Sequence, residues 1–379
     1  MRHKLILSIL SILYVGLLLL FLNYNSTNLF QSRFYPIQEY NSQMKEFKTL
    51  HEVGIEKYAI ISVVDEIRPD SYKLATDTVH CYAHAYNYSY IMVSMKNEKE
   101  IAKKCTQQDI MFVRHCFLAE YLELHKEIDY VLFIDADTVV MNPYHTLVEY
   151  APKGNEEFLM YSRIFNYEIA CGSFFFKNSV YSRNFLRDFA NFYYQVPKSM
   201  HGSDNAAIQS LILEKYGEGK FVEERKVCYA VWNRSKNWDD IWDFEACMIN
   251  LLEKISETEP LSTKLMTFDH GKVVVVGKES KRRWIRDGAL TNSLFCKNDF
   301  LFHGYKGVQS AMPFLGINDF VFTPELCINR PLPYLWNFKK DSMIECSYRN
   351  EMIGNTVNRT RGEFYRDLKD SGYLEKYKN

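Results

Sequence analysis

Buried-type strands that alternate with helices limit the fold of this chain more than any other feature of its sequence. KYAIISVVD, YSYIMVS and YVLFI are short, mostly apolar runs of the kind that form strands in a buried sheet. Two longer segments separate them, PDSYKLATDTVHCYAHAY and QDIMFVRHCFLAEYLELHK, and both have the length and apolar spacing of helices. The β-α-β-α-β order predicts an α/β fold with a mainly parallel central sheet and helices on both faces.

Later segments continue this alternation less regularly. They indicate strands at FLMYS, IACGSFFFKN and DFLFHGYKG, helices at 179–194 and 204–216, and a hairpin at MTFDHGKVVVVG. We therefore predict one α/β domain over residues 55–345. The charged and polar residues 346–379 predict a partly ordered C-terminal tail.

The N-terminus has the composition of a membrane anchor. Residues 5–22 are uncharged and mostly aliphatic, and basic residues precede them. A cleaved signal peptide is the alternative, but it requires small residues after the apolar run, and the first alanine of the chain is Ala59. We predict a cytoplasmic tail at 1–4, a transmembrane signal anchor at 5–22 and a polar lumenal stem at 23–54.

Sequons and cysteines fit a body that lies in the secretory lumen. N-glycosylation sequons begin at Asn25, Asn87, Asn233 and Asn358. The chain has nine cysteines, an odd number, so at least one thiol is free or intermolecular. We expect some of the others to form disulfides, and the lack of a C-x-x-C motif argues against a zinc or redox site.

The stretch VLFIDADTVVMNP ends a predicted buried strand with two carboxylates, Asp135 and Asp137. Residues i and i+2 of an extended segment, such as 135 and 137, point to the same side. Ligands gather at the carboxyl ends of parallel strands, and paired carboxylates can hold a hard cation such as Mn²⁺ or Mg²⁺. Such an ion would neutralise a leaving diphosphate. Because D-x-D also arises by chance, the alternative is a polar strand end with solvated or capping carboxylates.

The residues from Tyr58 to His303 resemble nucleotide-sugar glycosyltransferases of the GT-A fold. The matching pieces are AHAYNYSY, Arg114 twenty-one residues before Asp135, FIDADTVVMNP, CGSFFFKNS, GSDNAA and FHGYKG. They are most similar to the family of yeast Golgi galactosyl- and mannosyltransferases and plant xyloglucan xylosyltransferases. They also resemble a nematode family of uncharacterised proteins regarded as glycosyltransferases.

That resemblance implies a function and a location. The chain would be a single-pass type II Golgi membrane glycoprotein with a lumenal catalytic domain. It would move a sugar from a nucleotide-sugar donor, UDP-linked by analogy, to a glycan or glycoprotein acceptor, with retention of configuration. Asp135, Asp137 and His303 would hold Mn²⁺ (or Mg²⁺), with Asp137 the more direct ligand. A purely structural histidine is the alternative for His303.

The SDNAA segment departs from the family pattern. Ser203 stands where the family has an acidic residue, and Asn205 stands where it has a glutamine. By resemblance, Asp204 would bind donor-sugar hydroxyls or orient the acceptor, and Asn205 would face the anomeric carbon. The alternative for Asp204 is a helix cap, and both roles are compatible. These departures leave the donor sugar and the activity itself open.

Further residues match positions near the donor. The predicted donor-binding residues are Asp65, Arg114, Asp135, Ala136, Asp137, Gly172, Ser173 and Lys306. The alternative to donor contact is a solvated position on a helix face for Arg114. For Asp65, the alternative is a role in the turn at the end of its strand.

The segment KESKRRWIRDG carries five basic residues within an otherwise balanced chain. The formal net charge of −1 gives no reason to expect a nucleic-acid partner. The basic segment would either fold over a diphosphate, bind an anionic acceptor or form a solvated surface.

Two other functions compete with sugar transfer. VLFIDADTVV also fits the hhhhDxDxT pattern of haloacid-dehalogenase-like phosphatases, with Asp135 as nucleophile and Asp137 as acid/base. That fold places the motif on its first strand, whereas a β-α-β-α unit precedes it here, and His303 would have no role. The other alternative is a catalytically inactive glycan-binding or scaffold protein, for which the Ser203 and Asn205 departures argue.

Overall fold

A computed structural model describes residues 56–67, 72–260, 264–306, 327–328, 336 and 342–377 of the chain. The predicted anchor at 5–22, the predicted stem at 23–54 and the sequon at Asn25 lie outside these residues. Among the residues described, no helix combines the length and apolar character needed to cross a membrane.

The described residues form ten strands in two sheets. The strands are β1 Tyr58–Val64, β2 Ser89–Ser94, β3 Tyr130–Ile134, β4 Val139–Val140, β5 Phe158–Ser162, β6 Ile169–Lys177, β7 Leu265–Phe268, β8 Val273–Val276, β9 Ile285–Asp287 and β10 Leu301–His303. The larger sheet has the order β2-β1-β3-β6-β5-β8-β7, and the smaller has the order β4-β10-β9. In the larger sheet, β6 and β7 run against the other five strands. The predicted α/β class is confirmed, and its central sheet is mixed but largely parallel.

Helices cover the sheet. They are α1 Lys73–Ala85, α2 Lys99–Ala102, α3 Ile110–Leu124, α4 Leu147–Tyr150, α5 Val180–Asn191, α6 Ser203–Tyr216, α7 Val222–Trp232, α8 Trp238–Ile255, α9 Cys346–Asp370 and α10 Tyr373–Lys376. Short 3₁₀ turns follow α5 at Phe192–Gln195 and β9 at Gly288–Thr291.

The aromatic run in β6 shows why the sheet needs cover on both faces. Successive residues of a strand point to opposite faces, yet Phe174, Phe175 and Phe176 are all fully buried. Phe174 stacks on Phe133 of β3 with ring centroids 5.6 Å apart. The antiparallel β3–β6 pairing also sets Ile134 opposite Ser173, which brings the middle of β6 beside the residues that follow β3.

The C-terminal segment differs from the predicted tail at 346–379. Residues from Cys346 onward form the 25-residue helix α9, whose first residue is joined by a disulfide to Cys296. Ile353, Val357 and Leu368 are buried along one side of it. A few apolar residues at helical spacing therefore fix this helix, although charged and polar residues dominate its composition.

Four disulfides indicate an oxidising compartment of the secretory pathway. They join Cys81–Cys327, Cys105–Cys116, Cys228–Cys247 and Cys296–Cys346. Cys171 is free and buried, as the odd cysteine count requires of at least one thiol. The sequon residues Asn87, Asn233 and Asn358 are all exposed, so each is accessible for the predicted modification.

Candidate metal and donor site

Three predicted ligands meet at the carboxyl end of β3. Asp135 and Asp137 lie in the turn after β3, and β10 ends at His303. Because β10 pairs with β4, which follows that turn, the end of β10 lies beside the aspartates. The histidine Nε2 atom is 3.4 Å from Asp137 Oδ1 and 3.7 Å from Asp135 Oδ2. One ligand atom from each residue can be chosen so that all three lie within 4.8 Å of one another.

The surroundings of this cluster fit a hard divalent cation. The Asp137 side chain is only 3% exposed, and its Oδ2 atom accepts no hydrogen bond from the described residues. A buried carboxylate oxygen without a donor is costly unless a cation or water completes it. Gly172 leaves the space open, because a Cβ atom there would stand 2.8 Å from Asp135 Oδ2. Two carboxylates and an imidazole form a donor set suited to Mn²⁺ or Mg²⁺.

Two residues that the sequence analysis did not identify orient His303. Asp287 Oδ1 lies 3.1 Å from the histidine Nδ1 atom, and Arg163 donates to Asp287 Oδ1 over 2.8 Å. Arg163 also donates to Glu168 over 2.7 Å. This series of side-chain contacts holds the imidazole with Nε2 toward the aspartates, as outer-shell carboxylates do in metal sites. Asp287 ends strand β9, so the strand-end rule that drew attention to Asp135 could have found it.

Opposing effects set the charges of these groups. Burial lowers the pKa of His303, but the nearby carboxylates of Asp135, Asp287 and Asp137 outweigh burial and raise the pKa to about 10. Burial raises the pKa of Asp137 above its usual range. Burial also acts upward on Asp135, but the Arg114 guanidinium dominates and the pKa is lowered. The cluster therefore binds a proton tightly when no metal is present.

Arg114 is an internal bridge rather than a solvated helix residue. Its guanidinium donates to Asp135 Oδ1 over 2.6 Å, to Asp204 Oδ2 over 2.7 Å and to the Cys171 carbonyl over 3.1 Å. His115 Nε2 lies 3.0 Å from the same Asp204 oxygen. Arg114 therefore holds Asp135 in place from the protein interior. Its predicted effect on the donor would be indirect, through the Asp135 carboxylate.

Asp204 lies in the interior beside Arg114, and its role at the donor sugar stays a prediction. Its side chain is fully buried, with Oδ2 held by Arg114 and His115 and Oδ1 without a hydrogen bond from the described residues. It does not cap α6, because α6 has no side-chain cap. Burial acts to raise its pKa, but Arg114 outweighs burial and the pKa is lowered. Asp204 holds Arg114 in place.

The other predicted donor residues lie in three different settings. Gly172 and the half-buried Ala136 border the aspartate cluster. The Lys306 ammonium lies 3.8 Å from Asp137 Oδ2, and the side chain is 73% exposed. Asn205 is half-buried, and its Oδ1 atom accepts from the backbone N–H of Cys171 over 2.8 Å. These four residues border or face the cluster region.

Two predicted donor residues stand apart from the cluster. Ser173 is fully buried, and its hydroxyl accepts from Trp284 Nε1 over 2.9 Å, because it points away from the face that Gly172 lines. Asp65 is exposed directly after β1, which runs parallel to β3. It therefore lies at the same edge of the sheet as Asp135.

Most cations of the basic segment are paired within the fold, although the segment also lines a cavity of about 760 Å³. Arg282 forms a two-pronged pair with Glu156, with both contacts at 2.7 Å, and Arg286 donates to Asp299 over 2.7 Å. The two other inward cations, Lys278 and Arg283, donate to backbone carbonyls. Most of the cationic charge of this segment therefore stabilises the fold.

Comparisons with known proteins give a family but not a characterised relative. A family model described as "Protein of unknown function, DUF273" matches residues 79–315. None of the curated proteins matches the chain. Solved structures that are partly similar to the chain include the following two. One is a "glycosyltransferase involved in the glycosylation of the major capsid of PBCV-1", at 13% identity and a TM-score of 0.30, covering 37% of this chain and 69% of that one. The other is "A197 from STIV", at 12% identity and a TM-score of 0.21, covering 40% of this chain and 74% of that one.

Proposed function

We propose that this chain, which belongs to the DUF273 family of proteins of unknown function, is a metal-dependent glycosyltransferase. It would move a sugar from a nucleoside diphosphate, UDP in the first instance, to a hydroxyl of a glycan or glycoprotein. One observation carries the proposal: Asp135, Asp137 and His303 converge at the carboxyl edge of the sheet, and one buried carboxylate oxygen there lacks a hydrogen bond. The resemblance of the surrounding sequence to GT-A transferases supports the same function.

Each group has a defined task in this proposal. Asp135, Asp137 and His303 would hold Mn²⁺ or Mg²⁺, which when bound supplies positive charge against a departing diphosphate. Arg114 keeps Asp135 ionised and aimed at the cluster. Lys306 is exposed beside Asp137 and would contact the diphosphate from the solvent side.

Two residues would contact the rest of the donor. Asn205 is half-buried and would face the donor sugar, while Asp65 would accept a hydrogen bond from the base. Asp204 acts as a positioning residue through Arg114. The two substitutions relative to the resembled family therefore concern one residue near the sugar, Asn205, and one at the start of α6, Ser203.

The chain would act in the Golgi lumen as a single-pass type II membrane protein. The four disulfides support a secretory compartment, and the apolar run at 5–22 supports an anchor. Glycosylation at Asn87, Asn233 and Asn358 would follow from that address.

The phosphatase alternative has less support. Phosphatases of this class need a second, later pair of acidic residues, for which Asp239 and Asp240 are the candidates in the sequence. Both lie in the first turn of α8, where Asp240 accepts from the backbone N–H of Lys236. That mechanism also gives no task to His303, although His303 lies within 4 Å of both aspartates. The Ser203 and Asn205 departures argue for the inactive scaffold, but the cluster keeps its full set of ligand atoms, which favours a working metal site.

Release of nucleoside diphosphate from a panel of nucleotide sugars tests the proposal. The full-length protein in detergent, with Mn²⁺ and a mixture of glycan acceptors, should release UDP from at least one UDP-sugar. The Asp137→Asn variant and wild type in EDTA should release none. Hydrolysis of p-nitrophenyl phosphate with no release from any nucleotide sugar would favour the phosphatase instead.

A further inference from the structure

Away from the metal cluster, a cavity of about 310 Å³ lies between the β5–β6 loop and helices α8 and α9. Phe165 and Tyr167 line it from the loop, Trp242 from α8, and Glu363 and Asp367 from α9. Its size is at the lower end of the range for small-ligand pockets, which combine aromatic walls with a few polar groups. None of these residues belongs to the donor site described above.

The aromatic walls differ in how they are held. Tyr167 is buried, and its hydroxyl donates to Asp367 Oδ2 over 2.9 Å, so it is a fixed part of the wall. Phe165 and Trp242 are only half-buried and offer open ring surface to the cavity. Rings of this kind pack against apolar surfaces, and the C–H faces of sugar rings are such surfaces.

Several polar groups of this cavity have no internal use. Within the part of the chain that the structure describes, Trp242, Arg359 and Glu363 form no side-chain hydrogen bond or ion pair with another residue, and all three line the cavity. Asp367, by contrast, already accepts from Tyr167 and from Arg366. The half-buried Trp242 and Glu363 and the exposed Arg359 therefore leave an indole N–H, a carboxylate and a guanidinium available to a ligand at this cavity. Hydroxyl groups can satisfy all three as donors and acceptors.

The charge around the cavity disfavours an anionic ligand. Arg359 and Arg366 line it together with Glu363 and Asp367, so the lining itself is balanced. Asp243 and Asp370 lie next to Asp367, and an oxygen of each of these three carboxylates lies within 4.8 Å of the other two. Burial and the neighbouring aspartates raise the pKa of Asp243 to about 7. A neutral, hydroxyl-rich ligand fits this surface better than a sulfated or sialylated one.

The cavity is linked to the donor site through Arg163. The Arg163 guanidinium lies 4.9 Å from the centroid of the Phe165 ring. The same guanidinium pairs with Asp287, which contacts His303 of the metal cluster. Phe165 follows β5, which runs parallel to β1 and β3, and therefore lies at the same edge of the sheet as Asp135. A ligand in the cavity is thus a short series of side chains away from the cluster.

We propose that this cavity binds a neutral oligosaccharide and holds it as the acceptor for the transfer reaction. Trp242 and Phe165 would pack against sugar rings, while Arg359 and Glu363 would hydrogen-bond their hydroxyls. The acceptor role rests on the proposed glycosyltransferase function, whereas the binding of a neutral glycan does not.

An array of defined oligosaccharides tests the site directly. The labelled full-length protein in detergent is applied to neutral N-glycan cores, lactosamine chains and plant and fungal glucan fragments, together with sialylated and sulfated counterparts. Wild type should bind neutral members in preference to anionic ones. Trp242→Ala should lower that binding at least about tenfold, as should Glu363→Gln, which removes charge with little change of shape.

The control variant changes an aromatic residue of α9, the helix that carries Glu363, at a position outside the cavity. Tyr365 on α9 is 71% exposed, so Tyr365→Ala should bind glycans as wild type does. UDP binding with Mn²⁺, measured by calorimetry on the same variants, should be unchanged, and urea denaturation, which does not depend on the donor site, shows that each protein is folded.

The outcomes separate this inference from the proposed function. If UDP binds but no neutral oligosaccharide does, or if Trp242→Ala and Glu363→Gln both bind glycans like wild type, the acceptor site is overturned and the donor site stands. If a Trp242-dependent glycan binds but UDP does not, the cavity is a glycan site and the transferase function fails. Preference for the anionic members would also overturn the proposal.

Discussion

Two charge-rich regions of this molecule, the aspartate pair after β3 and the basic segment at 278–286, use their charges in opposite ways. In the basic segment, Arg282 pairs with Glu156 and Arg286 pairs with Asp299, so these cations are neutralised within the fold. After β3, Asp137 is as well buried, yet one of its oxygens accepts no hydrogen bond from the described residues.

The difference teaches that charge density along a sequence does not by itself mark a functional site. Both regions were candidates for contact with a diphosphate, and the basic segment carries more charge. What distinguishes the aspartate cluster is that ligand atoms of Asp135, Asp137 and His303 converge there beside an Asp137 oxygen that accepts no hydrogen bond from the described residues. The structure therefore assigns the basic segment to stability and leaves the aspartate cluster as the candidate site.

The largest expected effect comes from breaking an ion pair in the basic segment. Arg286→Met would leave Asp299, which is 5% exposed, without its principal partner. We expect the free energy of unfolding to fall by about 3 kcal/mol or more, measured by urea denaturation. Lys281→Met, in an exposed position of the same segment, should change it by less than about 0.5 kcal/mol. Equal stability of the two variants would contradict the assignment.

The opposite pattern is expected for the aspartate pair. Asp137→Asn should weaken Mn²⁺ binding at least about 100-fold, because it removes a direct ligand rather than an outer-shell group. Unfolding of the metal-free variant should need no less urea than wild type, because burial already disfavours this carboxylate. Glu100→Gln removes an exposed carboxylate and should alter neither property. A destabilised Asp137→Asn variant with normal metal affinity would reverse the comparison.

A smaller effect should follow from changing the residue that orients His303. Asp287→Asn keeps the shape of the side chain but removes its charge, and we expect Mn²⁺ affinity to fall about 10- to 100-fold. Glu168→Gln is the matched control, because Glu168 also pairs with Arg163 but forms no hydrogen bond or ion pair with His303 in the described part of the chain. Calorimetric titration with Mn²⁺ distinguishes them. Equal losses in both variants would mean that Arg163, not Asp287, governs the imidazole.

The smallest effect concerns pH. The pKa of His303 is raised to about 10 in the metal-free protein, so its imidazole is protonated at neutral pH and must lose that proton to bind a metal. Apparent Mn²⁺ affinity should therefore rise about tenfold between pH 7 and pH 8. His303→Gln should bind more weakly and flatten this slope. A wild-type affinity that does not vary with pH would show that His303 is not a ligand.

Much of the fold could be predicted from the strand and helix periodicity of apolar residues. The first three strands, the helices between them and the β7–β8 hairpin lie where the apolar pattern predicted them. The longer helices α7, α8 and α9 and the short helices α2, α4 and α10 were not predicted. In α9, apolar residues at helical spacing are few and are separated by charged ones, so its buried face is defined by packing rather than by composition.

Local sequence could identify the candidate ligands but not their supports. Asp135 and Asp137 stand at a strand end, and the resemblance to GT-A transferases pointed to His303. The Arg163–Asp287 pair joins residues 124 positions apart, and no local pattern encodes it. The burial of Asp204 likewise depends on α3 and α6 packing so that Arg114 and His115 face it. Its predicted contact with a sugar therefore could not be checked before the fold was known.

Calorimetry of UDP binding to the full-length protein in detergent, with and without Mn²⁺, tests the central claim most directly. The account predicts that UDP binds in the presence of Mn²⁺, that EDTA abolishes binding, and that Asp137→Asn behaves like wild type in EDTA. Failure of the folded protein to bind UDP under any condition would contradict a UDP-donor site at the aspartate cluster. Binding of equal strength in EDTA would contradict the role of the metal.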